Sequence, residues 1–274
     1  MAPFTFEASK TAVITGGASG IGLAVAQKCL DHGMKVVIAD KDSGKLTETK
    51  QNLGSALATL EMDVGRAEDW IRLQKLVDGN FQGRLDFLFL NAGIQPSSGW
   101  EDTSSFQTIF DVNLFGVVHG ISTFLPTIKA TPDSAIVITG SKQGITNPPS
   151  NPAYNASKSA VKSIAEHLSY DLNDTTTNVH LLVPGWTFTG LGRSNAQSSG
   201  EKPAGAWTSE QVANYLVEKM TQNEFYIICP DNEVTEEMDA KRIAWAAQDL
   251  VHRRPPLSRW REEFKEEFSN WNAT

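Results

Sequence analysis

Residues 11–22, TAVITGGASGIG, run from a short β-rich segment through a cluster of glycines into a helical pattern. The first five residues are apolar or β-branched, and apolar side chains then recur at helical spacing from Ile21 to Leu30. Glycines let the backbone approach a bound group closely, and the free N–H groups at the start of a helix favour negative charge. The stretch therefore predicts a strand, a turn and a helix that together can hold a pyrophosphate.

The alternation of apolar strand patterns with helical patterns continues along most of the chain. Further apolar, β-rich runs occupy residues 35–40, 57–64, 85–90, 135–139, 179–183 and 224–229. Helical patterns lie between them at residues 43–53, 67–77, 105–129, 154–171 and 209–221. Continuous apolar strands that alternate with helices indicate a parallel sheet covered on both faces. The sequence therefore predicts an α/β fold, with one domain at residues 1–252 built on a doubly wound parallel sheet of about seven strands.

Two segments depart from this alternation. Residues 186–207 are rich in Gly, Ser, Asn and Thr, and we interpret them as a substrate loop whose part 190–205 could close as a lid. Residues 253–274 form a C-terminal helical extension in which Ser258 is expected to cap the last helix. Aromatic side chains recur there on one helical stripe, namely Trp260, Phe264, Phe268 and Trp271. Such a tail packs either on its own domain or on a neighbouring subunit.

Composition limits the classes of partner. The formal net charge is −8 and the pI is about 5.2, which argues against nucleic acid or an anionic membrane surface as the main partner. No apolar run approaches the roughly 20 residues of a membrane helix, and the first residues do not have a secretory pattern, so we expect a cytoplasmic protein. The two cysteines, Cys29 and Cys229, are expected to be buried in a reducing compartment. No Cys/His cluster has metal-ligand spacing, so no metal is expected.

An acid ends the second predicted strand. Asp40 lies eighteen residues after Gly22, the last glycine of the turn, where a carboxylate can bond the ribose hydroxyls of adenosine. Its charge would repel a 2′-phosphate, which favours NAD(H) over NADP(H). Lys41 could partly neutralise the acid, so NADP(H) stays open as the less favoured cofactor.

A tyrosine and a lysine occur four residues apart in the predicted helix at 154–171. Tyr154 and Lys158 therefore share one helical face, and Ser141 lies thirteen residues upstream of the tyrosine. An ammonium beside a phenol favours the phenolate, so we expect the pKa of Tyr154 to fall towards neutrality. Such a tyrosine can give a proton to a carbonyl oxygen or take one from an alcohol, and Ser141 could hold the same oxygen.

The motifs are arranged in an order typical of one family. In sequence they are the glycine turn, Asp40, Asn91-Ala92-Gly93, Asn113, Ser141, Tyr154 and Lys158. In this order, over roughly residues 10–190, they resemble the short-chain dehydrogenase/reductase family of NAD(P)-binding Rossmann-fold oxidoreductases. Leu90 replaces an asparagine that many members have before Asn-Ala-Gly, and Gly140 replaces a serine that many have before the catalytic one. Neither departure removes a reacting group.

The resemblance implies a role for each matching residue. Tyr154 would be the general acid/base and Ser141 would orient the reacting oxygen. Lys158 would lower the pKa of Tyr154 and bond the nicotinamide ribose, while Asn113 would hold a water that passes protons to solvent. The residues implied to contact the cofactor are Thr15, Gly16, Ser19, Gly20, Ile21, Gly22, Asp40, Asp63, Val64, Asn91, Ala92, Gly93, Tyr154, Lys158, Pro184, Gly185, Thr187 and Thr189.

The reaction that this implies is reversible hydride transfer between NAD(H) and a secondary alcohol or ketone. Aromatic and amide side chains near the site suggest an apolar or ring-containing small-molecule substrate that contacts Gln143, Asn147, Trp186, Phe188 and Trp207. The alternatives are an NADP(H)-dependent ketoreductase and a dinucleotide-binding sensor that does not catalyse. A hydrolase is disfavoured, because GSKQG around Ser141 is not a Gly-x-Ser-x-Gly elbow. Members of the family usually pair through two long helices, here residues 105–129 and 154–173, so a homodimer or homotetramer is expected.

Overall fold

The computed structural model describes residues 2–191 and 201–273. Nine strands occur in this part of the chain: β1 Thr11–Thr15, β2 Lys35–Asp40, β3 Leu57–Glu61, β4 Phe87–Leu90, β5 Ala135–Thr139, β6 Asn178–Val183, β7 Thr187–Phe188, β8 Trp207–Thr208 and β9 Tyr226–Ile228. Seven of them form one parallel sheet in the order β3-β2-β1-β4-β5-β6-β9, and β7 pairs only with β8. The predicted seven-stranded, doubly wound parallel sheet is confirmed.

Helices cover both faces of the sheet. They are α1 Gly20–Asp31, α2 Ser43–Leu53, α3 Ala67–Phe81, α4 Thr103–Phe110, α5 Gly116–Ala130, α6 Gln143–Thr146, α7 Pro152–Asp171, α8 Ser209–Thr221, α9 Glu236–Val251 and α10 Lys265–Ala273. Side chains of a strand point alternately to opposite faces, so each inner strand supplies two apolar layers. This explains why the strand patterns in the sequence are continuous rather than alternating.

Each face of the sheet has its own hydrophobic layer. On one face, Trp70 of α3, Phe124 of α5 and Val161 of α7 pack in the same cluster as strand residues such as Val13 and Leu88. On the other face, α1 and α8 pack on the sheet through side chains that include Val25, Leu216 and both cysteines, Cys29 and Cys229. The cysteines are fully buried, as expected.

The strand order places the site. The chain starts at β1 in the middle of the sheet, builds β2 and β3 on one side, and returns to add β4 on the other side. The loops after β1 and β4 therefore diverge, which opens a crevice beyond the carboxyl ends of the strands. Ligands of open α/β sheets bind at such a switch point.

The helix predicted at residues 105–129 is longer and is interrupted. A π-helical turn, Asp111–Phe115, joins α4 to α5, and the whole helical run is Thr103–Ala130. By length and composition alone this run could cross a membrane, a test that core helices of soluble proteins also pass. Here Val117, Phe124 and Ile128 are buried against the domain core.

The C-terminal region differs most from the sequence-based expectation. No element was predicted between residues 230 and 252, where the structure has α9. The expectation that Ser258 caps the last helix is wrong, because Ser258 begins the 3₁₀ turn Ser258–Trp260 and is fully buried, whereas the last helix begins at Lys265. A second 3₁₀ turn, Glu262–Phe264, precedes α10.

The tail folds back onto its own domain. The ring of Trp245 on α9 lies 5.2 Å from the ring of Phe268 and 6.0 Å from that of Trp271, measured between centroids. The indole N–H of Trp245 donates to Ser258 Oγ at 2.7 Å, and this hydroxyl donates to Asp249 Oδ1 at 2.5 Å. Of the two arrangements considered for the tail, packing on the same chain is therefore the one observed.

Candidate active site

A cleft of about 1220 Å³ lies beyond the carboxyl ends of the strands. The loops that follow β1 to β6 all contribute to its walls. Most of the residues singled out in the sequence line it: Gly16, Ser19, Gly20, Ile21, Asp40, Asp63, Val64, Asn91, Ala92, Gly93, Ser141, Gln143, Tyr154, Lys158, Pro184, Gly185, Trp186, Thr187 and Thr189.

The glycine turn between β1 and α1 is tightly packed. Gly16 has a φ of +63°, a left-handed conformation that favours glycine. A Cβ added at Gly22 would overlap the carbonyl oxygen of Gly16. The start of α1 can therefore pack this closely against the turn only because residue 22 has no side chain. The side chain of Ser19, at the N-cap of α1, makes no capping hydrogen bond. The first N–H groups of the helix are thus available to an anion at the cleft wall, which fits a diphosphate.

Two residues of the predicted cofactor set support this turn without lining the cleft. Thr15 is buried, and its hydroxyl accepts hydrogen bonds from the backbone N–H groups of Asn91 at 3.0 Å and Ala92 at 3.2 Å. Gly22 is packed against Gly16. Thr15 thus ties β1 to the segment after β4, and Gly22 allows the close approach of α1, while their contact with the cofactor stays a prediction.

Asp40 is held against the glycine turn at the rim of the cleft. Its Oδ2 accepts from the backbone N–H of Ala18 at 3.0 Å, and its Oδ1 accepts from that of Asp42 at 3.1 Å. Lys41, which the sequence suggested as a neutralising partner, pairs with Asp63 Oδ2 at 3.1 Å instead. Lys41 is therefore not the ion-pair partner of Asp40, whose carboxylate lies at the cleft where it can oppose a second anion.

Tyr154, Lys158 and Ser141 meet where β5 ends and α7 begins. The first turns of α7 carry the tyrosine and the lysine, which are only 4% and 3% exposed. Ser141 lines the same cleft wall as Tyr154, and its hydroxyl oxygen accepts from the backbone N–H of Gln143 at 3.2 Å. The ammonium of Lys158 donates to the carbonyl oxygen of Thr139 at 2.8 Å and lies 5.9 Å from the centre of the Tyr154 ring.

The predicted fall in the pKa of Tyr154 is wrong for this structure. Burial raises the pKa of Tyr154 above its ordinary value of 10.0, and the neighbouring side chain of Ser141 opposes this rise only in part. Burial also lowers the pKa of Lys158 from 10.5 to about 8. Both shifts have one cause, because neither charged form is well solvated inside the protein. At neutral pH the buried phenol is therefore protonated and can serve as a proton donor.

Asn113 occupies the π-helical turn and is fully buried. Its Oδ1 accepts from the backbone N–H of Ile94 at 2.8 Å, while its Nδ2 donates to Ile94 O at 3.0 Å and to Ser157 Oγ at 3.2 Å. A Cβ added at Gly93 would lie 3.3 Å from Asn113 Oδ1 and 3.6 Å from the ammonium of Lys158. Asn113 thus fastens the segment after β4 beneath the cleft, and its role towards a water stays a prediction.

The predicted substrate contacts divide into two groups. Gln143 and Trp186 line the cleft, and Trp186 is 46% exposed. Asn147, Phe188 and Trp207 do not, which corrects the sequence-based expectation. Asn147 is an exposed C-cap of α6, and Phe188 contributes to a separate cavity against α1. Trp207 packs edge-on against another aromatic ring, that of Tyr215, at 5.7 Å. Part of the predicted lid at 190–205 lies outside the described residues.

Some residues that shape the cleft were missed. Gln95 lines it, and its side-chain amide donates to Gln143 Oε1 at 3.4 Å. Gln95 lies two residues after Gly93, so the rule that segments after parallel strands meet at one edge could have found it. Lys142 also lines the cleft, and its acidic partners come from residues beyond β9, where no sequence pattern pointed to the site.

Known proteins share both the sequence and the fold. The family model described as short chain dehydrogenase matches residues 10–200. The chain belongs to the short-chain dehydrogenase family. The putative oxidoreductase SadH of Mycobacterium tuberculosis is 34% identical to this short-chain dehydrogenase over 205 residues, which cover 72% of this chain and 73% of SadH. An oxidoreductase of Sarocladium schorii is 31% identical over 195 residues, 70% of this chain and 78% of that protein.

Solved structures agree with this assignment. A short-chain dehydrogenase/reductase from Burkholderia phymatum, crystallised in complex with NAD, superposes on this short-chain dehydrogenase with a TM-score of 0.80. The two are 31% identical, and the match covers 92% of this chain and 98% of the other. The 3-ketoacyl-(acyl-carrier-protein) reductase of Brucella melitensis, complexed with NADH, has a TM-score of 0.72 at 24% identity, over 83% of this chain and 98% of its own, and supports the fold alone. The protein is an oxidoreductase of this family.

Proposed function

We propose that this short-chain dehydrogenase transfers a hydride between NAD(H) and a secondary alcohol or ketone. The observation that carries the proposal is the buried phenol of Tyr154, which lines the cleft together with Ser141 and whose ring centre lies 5.9 Å from the ammonium of Lys158. These groups lie in the same cleft as the glycine turn and Asp40. A proton donor in a dinucleotide-sized cleft is the combination that carbonyl reduction requires.

The preference for NAD(H) rests on charge at the adenosine end of the cleft. The carboxylate of Asp40 would repel the 2′-phosphate of NADP(H) and can bond ribose hydroxyls. The related Burkholderia phymatum protein has NAD in its structure, which supports the same choice here. The start of α1, with Ser19 at its N-cap, would hold the diphosphate, and the cleft segment from Pro184 to Thr189 would hold the nicotinamide.

When bound, the nicotinamide ring supplies or accepts the hydride. In ketone reduction the phenol of Tyr154 donates its proton to the carbonyl oxygen while the carbonyl carbon gains the hydride, and in alcohol oxidation both transfers reverse. Ser141 can hydrogen-bond the same oxygen and hold it beside the phenol. Because the pKa of Lys158 is about 8, its ammonium is mostly charged at neutral pH and stabilises the phenolate as it forms.

The substrate end of the cleft combines an aromatic face with amides. Trp186 offers a half-exposed indole, and the paired side chains of Gln95 and Gln143 offer hydrogen-bonding groups near Ser141. These groups suit a ring-containing substrate with a polar substituent.

The experiment that tests the proposed function removes the phenolic oxygen of Tyr154. Tyr154→Phe should lower turnover of a panel of cyclic and acyclic ketones, followed as loss of NADH absorbance, by about 10²-fold or more. Binding of NADH, measured by fluorescence, should remain close to wild type, because the glycine turn and Asp40 are unchanged. The matched control is Tyr170→Phe, which removes a hydroxyl from an 81% exposed tyrosine on the same helix and should keep full turnover.

The same measurements separate the alternatives. A wild-type protein that binds NADH but reduces no ketone and oxidises no alcohol in the panel would favour a dinucleotide-binding sensor. If Tyr154→Phe keeps wild-type turnover, the phenol of Tyr154 is not the proton donor.

A further inference from the structure

A buried cluster of three charges lies next to the catalytic serine. The ammonium of Lys142 is 2.6 Å from Asp239 Oδ2 and 3.7 Å from Asp231 Oδ2. The side chains of the lysine and these two acids are only 18%, 7% and 5% exposed, respectively. Burial of charges is costly unless they are paired, and the proton transfer derived above uses none of the three.

Asp231 links this cluster to the loop after β6. Its Oδ2 accepts a hydrogen bond from the backbone N–H of Trp186 at 3.1 Å. Its Oδ1 accepts from the N–H groups of Glu233 at 3.0 Å and Val234 at 2.8 Å, so the carboxylate is rigidly held. A Cβ added at Gly185 would lie 2.9 Å from both Asp231 Oδ2 and the Lys142 ammonium. The Gly185–Trp186 backbone is therefore in direct contact with the ion pair.

Asp239 links the cluster to α9. It lies in the first turn of that helix, where the helix dipole favours a negative charge. The tail in turn packs on α9 through Trp245, Ser258 and Asp249. Both acids of the cluster lie beyond residue 200, where the match to the family model ends. The two acids thus lie outside the matched segment, whereas Lys142 lies within it.

Lys142 is the backbone neighbour of Ser141 and starts the turn that fixes it. The carbonyl oxygen of Lys142 accepts from the N–H groups of Ile145 at 3.1 Å and Thr146 at 2.9 Å. The carbonyl oxygen of Ser141 accepts from the N–H of Gly144 at 3.0 Å, and its hydroxyl oxygen accepts from that of Gln143 at 3.2 Å. A shift of Lys142 must therefore move Ser141.

We propose that Lys142 is a positioning residue, whose ion pairs with Asp231 and Asp239 fix the loop of Ser141 against the Gly185–Trp186 segment. One cation between two acids joins three loops at the carboxyl edge of the sheet, those that follow β5, β6 and β9. Catalysis depends on sub-ångström placement of the groups that hold the reacting oxygen, so loss of this link should reduce turnover more than it reduces cofactor binding. This inference rests on the proposed function.

The activity test separates positioning from stability. Lys142→Met keeps the length of the side chain but leaves two buried carboxylates without their cation, so both the melting temperature and kcat should fall, kcat by about tenfold or more. NADH affinity should stay near wild type. In Lys142→Met/Asp239→Asn one of those charges is also removed, so the melting temperature should recover while kcat stays low, because the link is still broken. Recovery of kcat together with stability would overturn the proposal.

A second readout does not need a substrate. Hydrogen exchange of the amides in residues 141–146 and 184–187 should be faster in Lys142→Met and in the double variant than in wild type. The matched control is Lys162→Met, which removes a lysine from a half-exposed pair with Glu166 at 2.7 Å on α7 and should leave both segments unchanged. Wild-type exchange in both segments of the double variant would overturn the proposal. If the wild-type protein turns over no substrate, the proposed function fails while the exchange measurement still decides whether Lys142 holds the two loops together.

Discussion

At the scale of single residues, the burial of Lys158 has a consequence for stability that does not depend on any substrate. Burial lowers the pKa of Lys158 from 10.5 to about 8, so between these values the unfolded chain binds a proton that the native protein has lost. The free energy of unfolding must then rise with pH in this window, with a slope of at most about 1.4 kcal/mol per pH unit from this group. Below about pH 8 the cost of the buried ammonium is present in full.

The variant Lys158→Met isolates this contribution. The free energy of unfolding of wild type minus that of Lys158→Met should increase from pH 8 to pH 10 (about the span of the shift in Lys158), as measured by urea titration without dinucleotide. Lys162→Met, which removes a partly exposed lysine from the same helix, controls for the loss of a positive charge as such. A difference that stays level or falls over this range would mean that Lys158 is not desolvated.

Asp40 is the residue on which the choice of cofactor depends. Asp40→Ala removes the charge that opposes a 2′-phosphate and the acceptor for ribose hydroxyls, so NADH affinity should fall by about tenfold while NADPH affinity rises. Fluorescence titration with NADH and with NADPH measures the ratio of the two affinities. Asp42→Ala is the control, since Asp42 caps α2 through the N–H of Lys45 and lies two residues away. If the ratio of NADH affinity to NADPH affinity is unchanged in Asp40→Ala, groups other than Asp40 determine the cofactor selectivity. NADP(H) would then again be a candidate cofactor.

At the scale of helices and strands, the sequence predicted some elements to the residue and missed others for physical reasons. The bounds of β1, β2, α2, β5 and α8 agree with the patterns, because each of these elements ends at or just before a glycine or a polar residue. Helix α9 was not predicted, since two of its three buried residues are the acids Asp239 and Asp249. Burial of charged side chains produces no apolar stripe, so hydrophobic periodicity gives no signal there.

The site itself was predictable in position and less so in electrostatics. The spacing of four residues correctly predicted that Tyr154 and Lys158 share one helical face. Spacing carries no information about how deeply a side chain is buried, and it is burial that sets the direction of both pKa shifts. Loop side chains such as Phe188 have no periodicity that fixes where they point. For that reason two of the three misplaced substrate residues, Phe188 and Trp207, belong to the short β7–β8 ladder.

The packing of the tail on α9 gives a prediction at this scale. Ser258 accepts from the indole N–H of Trp245 and donates to Asp249, all three being buried. Ser258→Ala leaves both partners without this hydroxyl, so the free energy of unfolding should fall by about 1–3 kcal/mol. Ser104→Ala, which removes an exposed hydroxyl bonded to Asp102, should change stability by less than about 0.5 kcal/mol. Equal effects of the two variants in chemical denaturation would show that the tail contributes little to the fold.

At the scale of the whole molecule, the long helical run formed by α4 and α5 leaves an apolar surface uncovered. Phe115 and Val118 are 44% and 37% exposed, and only 33% of the most apolar 18-residue window of this run is buried. On α7, the second helix expected to pair, Tyr170 is 81% exposed. We propose that a second copy of the chain covers this surface, since apolar patches of this kind on a protein surface mark interfaces.

A charge placed in that surface tests the proposal. Val118→Glu would have to be desolvated in the interface, which costs several kcal/mol per ion, so it should convert a dimer or tetramer into a monomer at micromolar concentration. Leu250→Glu makes the same kind of change at an 84% exposed position on α9 and should leave the assembly intact. Sedimentation velocity measures the mass of each variant. A wild-type protein that sediments as a monomer, or a Val118→Glu variant that assembles like wild type, would place the interface elsewhere or remove it, and the apolar face of α4 and α5 would then need another partner.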